Sequence, residues 1–160
     1  VVVAKRPDAA AGYKRPESII VVVHTRDGKV LLLRRTNPPD FWQSVTGSMR
    51  WDEREPRVTA IRELREETGI DPGQGLRDWQ RINRYEILPE WRPRYAPDVH
   101  TNLEHVFSLQ LPAPVVVVTR DHEHSEFAWL DFAAAETRAS SRTDREIIAT
   151  LRMAYEQGQP

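Results

Sequence analysis

Residues 47–70 read GSMRWDEREPRVTAIRELREETGI, and the last nine, Arg62-Glu63-Leu64-Arg65-Glu66-Glu67-Thr68-Gly69-Ile70, carry the reading on which the fold turns. Pro56 suits a first helical turn and Gly69 the left-handed residue that ends one, so a helix is predicted from about Glu55 to Thr68. At 100° per residue, Glu63, Glu66 and Glu67 fall within roughly a 100° stripe of its surface. Like charges at that spacing repel and need compensation. A divalent cation such as Mg²⁺ takes a few carboxylates and leaves its other positions to water and phosphate oxygens. The competing reading is a solvated face laced with pairs such as Arg62–Glu66. The complete string decides between them, since R-E-aliphatic-x-E-E-x-G-aliphatic arises by chance on the order of 10⁻⁵ times per chain of this length. It reads as a metal–phosphate site.

The string resembles the signature of the Nudix hydrolases: a glycine, a glutamate, then R-E-aliphatic-x-E-E-x-G-aliphatic. Gly47 and Glu53 match with the usual five residues between them, but eight residues separate Glu53 from Arg62 where the family pattern has seven. In the family the first glutamate pairs with the arginine. Here Arg54 falls at that register between Glu53 and Glu55, so the spacing leaves open which glutamate serves Arg62. The resemblance implies an α/β/α sandwich with a mixed β-sheet between helices.

Around that segment the chain alternates strands and turns. Ser18–Thr25 (SIIVVVHT) is apolar and β-branched, a buried strand, and Asp27-Gly28 turns it into a partner at Val30–Leu33. Asn37-Pro38-Pro39-Asp40 forces a loop before an extended segment at Phe41–Thr46. Leu76–Leu88 reads as one long or bent strand, Pro89–Val99 as a loop, and Glu104–Leu111 and Phe127–Leu130 as further strands. A last helix is predicted over about Asp144–Gln157, with Thr143 and Glu146 at capping-box spacing and Gly158 ending it. Strands interrupted by one helix and closed by another give an α/β class with a mixed sheet.

Composition bounds the function. The 160 residues are expected to form a tail over 1–12 and one domain over 13–160. A net charge of −1 offers no broad footprint for nucleic-acid polymers, and the patch Arg92-Pro93-Arg94-Tyr95 is too small to supply one. The absence of cysteine excludes thiolate nucleophiles and zinc–thiolate sites. The opening VVVAKRPDAAAGYKRP has too short an apolar run for a signal core or a membrane span, so a cytoplasmic protein is expected.

Further segments sharpen the resemblance. Tyr13-Lys14-Arg15-Pro16, the run DFWQSVTGS over 40–48, and Arg94-Tyr95-Ala96-Pro97 followed by Asn102 and Glu104 resemble the Nudix branch that hydrolyses dihydroneopterin triphosphate in folate biosynthesis, and also dATP. The resemblance covers the chain from about Tyr13 to the final helix. It implies Mg²⁺, or Mn²⁺, on Glu63, Glu67 and Glu123, the last from the polar cluster Asp121–Glu126, where Glu126 is the second choice. It implies substrate contacts at Lys14, Arg35, Thr46, the run Tyr85-Glu86-Ile87-Leu88, and Ser141. Water would attack the α-phosphorus with Glu66 or Glu123 as base, Arg62 belonging to the catalytic set, and pyrophosphate would leave.

Elementary chemistry supports parts of that assignment. Arginine matches phosphate oxygens with a fork and lysine with a point charge. Adjacent strand residues face opposite sides, so only one of Arg34 and Arg35 should reach a given pocket. Free N–H groups at the last helix also favour anions near Ser141 and Thr143. The aromatic rings of Trp42, Tyr85, Trp91 and Tyr95 could hold a flat heterocycle or simply pack in the core. His122 and His124 read as solvated loop residues, because H-x-H without thiolates is a weak zinc pattern. The partner is thus a small-molecule triphosphate, with oligomeric state open. Two alternatives are a general (deoxy)nucleoside triphosphate pyrophosphohydrolase, acting on dATP or damaged nucleotides, and a non-catalytic Nudix-fold binding module.

Overall fold

In the computed structural model, which describes residues 11–120 and 122–158, seven strands form one mixed sheet. The tail expected over 1–12 lies mostly outside the described residues. Strand β1 (Glu17–Thr25) is central and nearly all buried. Ile19, Val21 and Val23 face one core, Ile20 and Val22 the other. Burial on both faces explains its unbroken apolar run, where a half-exposed strand would alternate. Gly28, at φ 87°, turns the chain into β2 (Lys29–Arg35).

β1 and β2 splay apart beyond the turn. They share a single registered pair, His24↔Val30, and the gap is filled by β3 (Trp42–Gln43) on β2 and β4 (Val45–Ser48) on β1. On its other edge β1 runs parallel to β6 (Thr101–Leu111), which pairs antiparallel with β5 (Leu76–Glu86). β7 (His124–Asp131) covers the outer edge of β2.

Helix α1 (Pro56–Thr68) follows the predicted bounds, and Gly69 closes it at φ 74°. Its residues Ala60 and Leu64 pack on Ile19, Val21, Leu33 and Phe107. On the opposite sheet face lie α2 (Phe132–Arg138) and α3 (Arg142–Glu156), whose Phe132, Ala135, Ile147 and Ile148 close over Ile20, Leu32 and Val106. The α/β/α sandwich expected from the resemblance is present. None of the described helices is long and apolar enough to cross a membrane.

Several boundaries differ from the sequence reading. Helix α2 was not expected, and at seven residues it is too short to display a repeating helical pattern. β5 ends at Glu86, not Leu88, and its register shifts between Asp78 and Ile82, where Gln80 adopts φ 53°. The 89–99 loop contains one 3₁₀ turn at Arg92–Arg94. β7 begins at His124, three residues before the expected start, because its polar first residues still pair with β2. α3 is capped by Ser141, whose Oγ accepts the Asp144 N–H at 3.2 Å; Thr143 lies within the first turn, so Thr143 and Glu146 do not form the expected box.

Leu64 is fully buried between α1 and the sheet. Replacing it with alanine leaves a cavity and is expected to cost about 2–5 kcal/mol. Denaturant unfolding should show a lower midpoint at an unchanged slope; an unchanged midpoint would remove this contact from the core.

Candidate active site

The three carboxylates of α1 do not share one environment. Arg62 donates to Glu53 from Nε (3.0 Å) and Nη2 (2.9 Å), to Glu63 from Nη1 (2.6 Å) and to Glu66 from Nη1 (3.3 Å). Glu53 is therefore the partner left open by the sequence. Burial pushes its carboxyl up, but the Arg62 fork and the Arg50 N–H override this and hold it down to about 2. The extra residue is absorbed in the chain ahead of the helix, and Arg54 and Glu55 stay out of the site. Glu63 lies directly over the Cα of Gly47, where any side chain would collide with its carboxyl group. That close approach explains the glycine of the motif.

Glu67, on the next turn, is 4 % exposed, and the Thr46 N–H reaches its Oε2 at 3.3 Å. Burial, then the charges of Glu63 and Glu123, push its carboxyl well above the ordinary range. Glu67, Glu123 and His124 each offer a donor atom, all within 4.8 Å of one another. Two carboxylates and an imidazole suit a divalent cation, and a cation there would remove the repulsion that lifts Glu67. Glu63 stands beside this trio, tied to Arg62.

His124 corrects the sequence reading. It is 2 % exposed, the first residue of β7, and its Nε2 lies 3.1 Å from Gln43 Nε2. Burial lowers it to about 4, so it is neutral at pH 7. His122, by contrast, is exposed as expected. Glu126 is turned away and pairs with Arg34 at 3.0 Å, which removes it as a second choice. Alternation would have put His124 on the side of Glu126; a break in register, with Arg34 opposite Glu126 and Arg35 opposite His124, sets it beside Arg35 instead, so no local signal marked it.

Beside the trio opens a cleft of about 470 Å³, in the range of ligand pockets. Lys14, Arg35 and Arg94 line it. Arg35 stands 5.6 Å from the Trp91 ring centre and Lys14 5.9 Å from that of Tyr95. Burial, then mutual repulsion with Arg94, lowers the pKa of both Lys14 and Arg35, while Glu123 acts in the opposite sense on each. Three crowded cations facing crowded carboxylates form a surface suited to a polyphosphate with a bound cation.

The predicted substrate residues mostly meet here. Lys14, Arg35, Thr46, Tyr85, Glu86, Leu88 and Ser141 line the cleft, whereas Ile87 is 3 % exposed and is not part of the lining. Arg34 faces away, as strand alternation required. Tyr85, Trp91 and Tyr95 border the cleft, but Trp42 packs against the second core beneath Arg138. Glu66 is held by Arg62 and, at 3.5 Å, by Arg50, outside the trio. Sequence reasoning missed Gln43 as well as His124.

Comparison with protein families matches residues 14–151 to the one described as NUDIX domain. Dihydroneopterin triphosphate diphosphatase of Escherichia coli is 44 % identical over 140 residues, which are 85 % of this chain and 91 % of that enzyme. The Haemophilus influenzae enzyme of the same name is 38 % identical over 140 residues, 85 % and 87 % of the two chains. The solved structure of the E. coli dihydroneopterin triphosphate pyrophosphohydrolase superposes with a TM-score of 0.80 at 43 % identity, over 86 % of this chain and 95 % of that one.

The buried charge of Glu67 has a measurable sign. Its folded pKa is raised above 4.5, so its contribution is most favourable below that value and is lost as pH climbs toward the folded value. Glu67→Gln should therefore melt progressively higher than the metal-free wild type as pH rises from about 4.5. A divalent cation should close the gap by stabilising the wild type alone. Parallel melting curves across the pH range would contradict a strained carboxyl.

Proposed function

The chain belongs to the Nudix family, and we propose that it is the cytoplasmic Mg²⁺-dependent hydrolase that converts dihydroneopterin triphosphate to dihydroneopterin monophosphate and pyrophosphate. The observation that carries this reading is the meeting of a carboxylate cluster, three cations and several aromatic rings: the cations and rings line one cleft, whose lining residues Gln43 and Thr46 contact His124 and Glu67 of the cluster. A polyphosphate needs the first two parts, and a flat heterocycle suits the third.

Glu67 and Glu123 would hold the cation, with Glu63 beside them and His124 adjoining. When bound, Mg²⁺ supplies neutralisation of phosphate charge and polarises the attacked phosphorus. Lys14, Arg35 and Arg94 clamp the triphosphate from the opposite wall and stabilise charge on the departing pyrophosphate. Water attacks the α-phosphorus, the bond to the α,β-bridging oxygen breaks, and that oxygen keeps the electron pair. Glu123 accepts the water's proton. It suits this role better than Glu66, whose carboxylate is occupied by Arg62 and Arg50, whereas among the described residues the only ion-pair partner of Glu123 is the exposed His122 at 3.6 Å. Arg62 is a positioning residue: it aligns α1 by holding Glu53, Glu63 and Glu66 at once.

Pyrophosphate release from dihydroneopterin triphosphate, measured beside dATP, other nucleotides and ADP-ribose, should favour the pterin tenfold or more in kcat/KM. A preference for dATP would instead assign the protein to nucleotide-pool hydrolysis. Glu123→Gln should lower kcat by about 10²–10⁴-fold with Mg²⁺ saturating, and near-normal turnover would exclude it as base. Arg35→Ala should chiefly raise KM; an unchanged profile would place that guanidinium outside the binding wall.

A further inference from the structure

At the other side of the cleft stands a carboxylate with no role in the phosphate chemistry. Register pairs Ser48 with Ser18, Ser18 with Glu104 and Glu104 with Asn83, so these four residues form one row across β4, β1, β6 and β5. Ser48 adjoins Gly47, against which Glu63 rests. Glu104 is two strand spacings from Ser48, roughly 10 Å. That is about the reach from the α-phosphate of a triphosphate ester to the far edge of its heterocycle.

Glu104 is 4 % exposed and lines the cleft, together with Asn102, Tyr85 and Thr143. Its Oε1 accepts the Asn83 amide at 3.3 Å, and the Thr143 hydroxyl approaches it from α3. A carboxylate has about four acceptor positions, so acceptor capacity remains. Its neighbour Asn102 spends its amide N–H groups on Ser18 Oγ (2.8 Å) and Tyr85 Oη (3.0 Å), leaving Oδ1 without a partner. Asp144 is already used by Ser44, through its N–H and its hydroxyl, both at 2.7 Å. This part of the floor carries surplus acceptors. Burying such a carboxylate is costly unless a donor meets it, and burial accordingly pushes the Glu104 carboxyl up, with Asn83 and Thr143 opposing, Asp144 reinforcing and Arg81 opposing.

Resting on the pterin reading above, we propose that Glu104 is the specificity-determining residue of the cleft, accepting two adjacent N–H donors from a 2-amino-4-oxopyrimidine edge. A pterin presents that edge as its N3–H and 2-amino group. Guanine presents the same pair. Adenine offers one amino donor beside a bare ring nitrogen, whose lone pair would face a carboxylate oxygen. The selectivity follows from charge and hydrogen-bond sense, with no steric exclusion required.

Glu104→Gln keeps the shape and turns one acceptor into a donor, which suits adenine and opposes the pterin edge. kcat/KM for dihydroneopterin triphosphate and for dGTP should fall tenfold or more, while that for dATP stays within threefold or rises. Melting and circular dichroism confirm that the variant is folded; should Glu104→Gln not fold, Glu104→Asp, which retracts the carboxylate by one methylene, should weaken the same two substrates and spare dATP. An equal loss on all three substrates would make Glu104 a structural floor residue and overturn the proposal, as would unchanged ratios. If the wild type ignores the pterin but hydrolyses nucleotides, the pterin reading fails, and the dGTP-to-dATP ratio still decides Glu104. Calorimetric binding of dGMP against dAMP reads that ratio without any turnover.

Discussion

Arg62 is the constraint on which the catalytic face depends. Four carboxylates, Glu53, Glu63, Glu66 and Glu67, crowd the start and one side of a single helix, and unaided they would repel along its length. The guanidinium meets three of them from a largely buried position, which a lysine point charge could not do with the same geometry. Glu67 is the one left over. It is the most deeply buried of the four, and its relief comes from the Thr46 N–H and, less strongly, the charge of Arg35. The helix thus offsets its own charge through Arg62 except at the position that faces Glu123 and His124, where a bound cation would relieve the remaining repulsion.

The sheet determines what that charge confronts. Because β1 and β2 part after one registered pair, the segment 42–48 is drawn into the gap, bringing Gln43 to His124 and Gly47 to Glu63. A regular hairpin would have closed that space with strand-to-strand hydrogen bonds. The same opening lets the cleft run over the sheet row of Ser48, Ser18 and Glu104 toward the start of α3. Opposite charges are held apart by rigid strands: carboxylates rise from α1 and the start of β7, while cations descend from the chain before β1, from the end of β2 and from the 3₁₀ turn.

Features coded in a few adjacent residues were legible in the sequence. Pro56 and Gly69 bound α1 because both act through local backbone geometry. Strand alternation limited the pocket to one of Arg34 and Arg35, and the family resemblance chose Arg35. The carboxylates of α1 were visible because they repeat on one helix face, and the family resemblance singled out Glu63 and Glu67 among them and added Glu123. What escaped depends on partners distant in sequence. His124 reads as a loop residue until β2 is known to pair with it, and its burial comes from strands that no local window contains. Ser141 outcompetes Thr143 as cap because Thr143 is drawn inward beside Glu104. Helix α2 has too few turns to show its period, and Ile87 lies next to residues that line the cleft while pointing into the protein.

The joint ahead of α1 shows what the signature measures. Arg15 donates to the backbone oxygens of Arg50 (3.0 Å) and Glu53 (2.7 Å), and the Glu53 carboxylate in turn accepts the Arg50 N–H at 2.7 Å, so this corner is fastened from three sides. Chain length between Glu53 and the helix is then free to vary, because the guanidinium is met by a side chain delivered from the fastened corner. The number of residues in that interval records the path of the connector, and the chemistry resides in the ion pair at its ends. A search of genomes that counts fixed spacings would pass over chains of this kind, and one that asks only for a carboxylate able to reach the arginine would recover them.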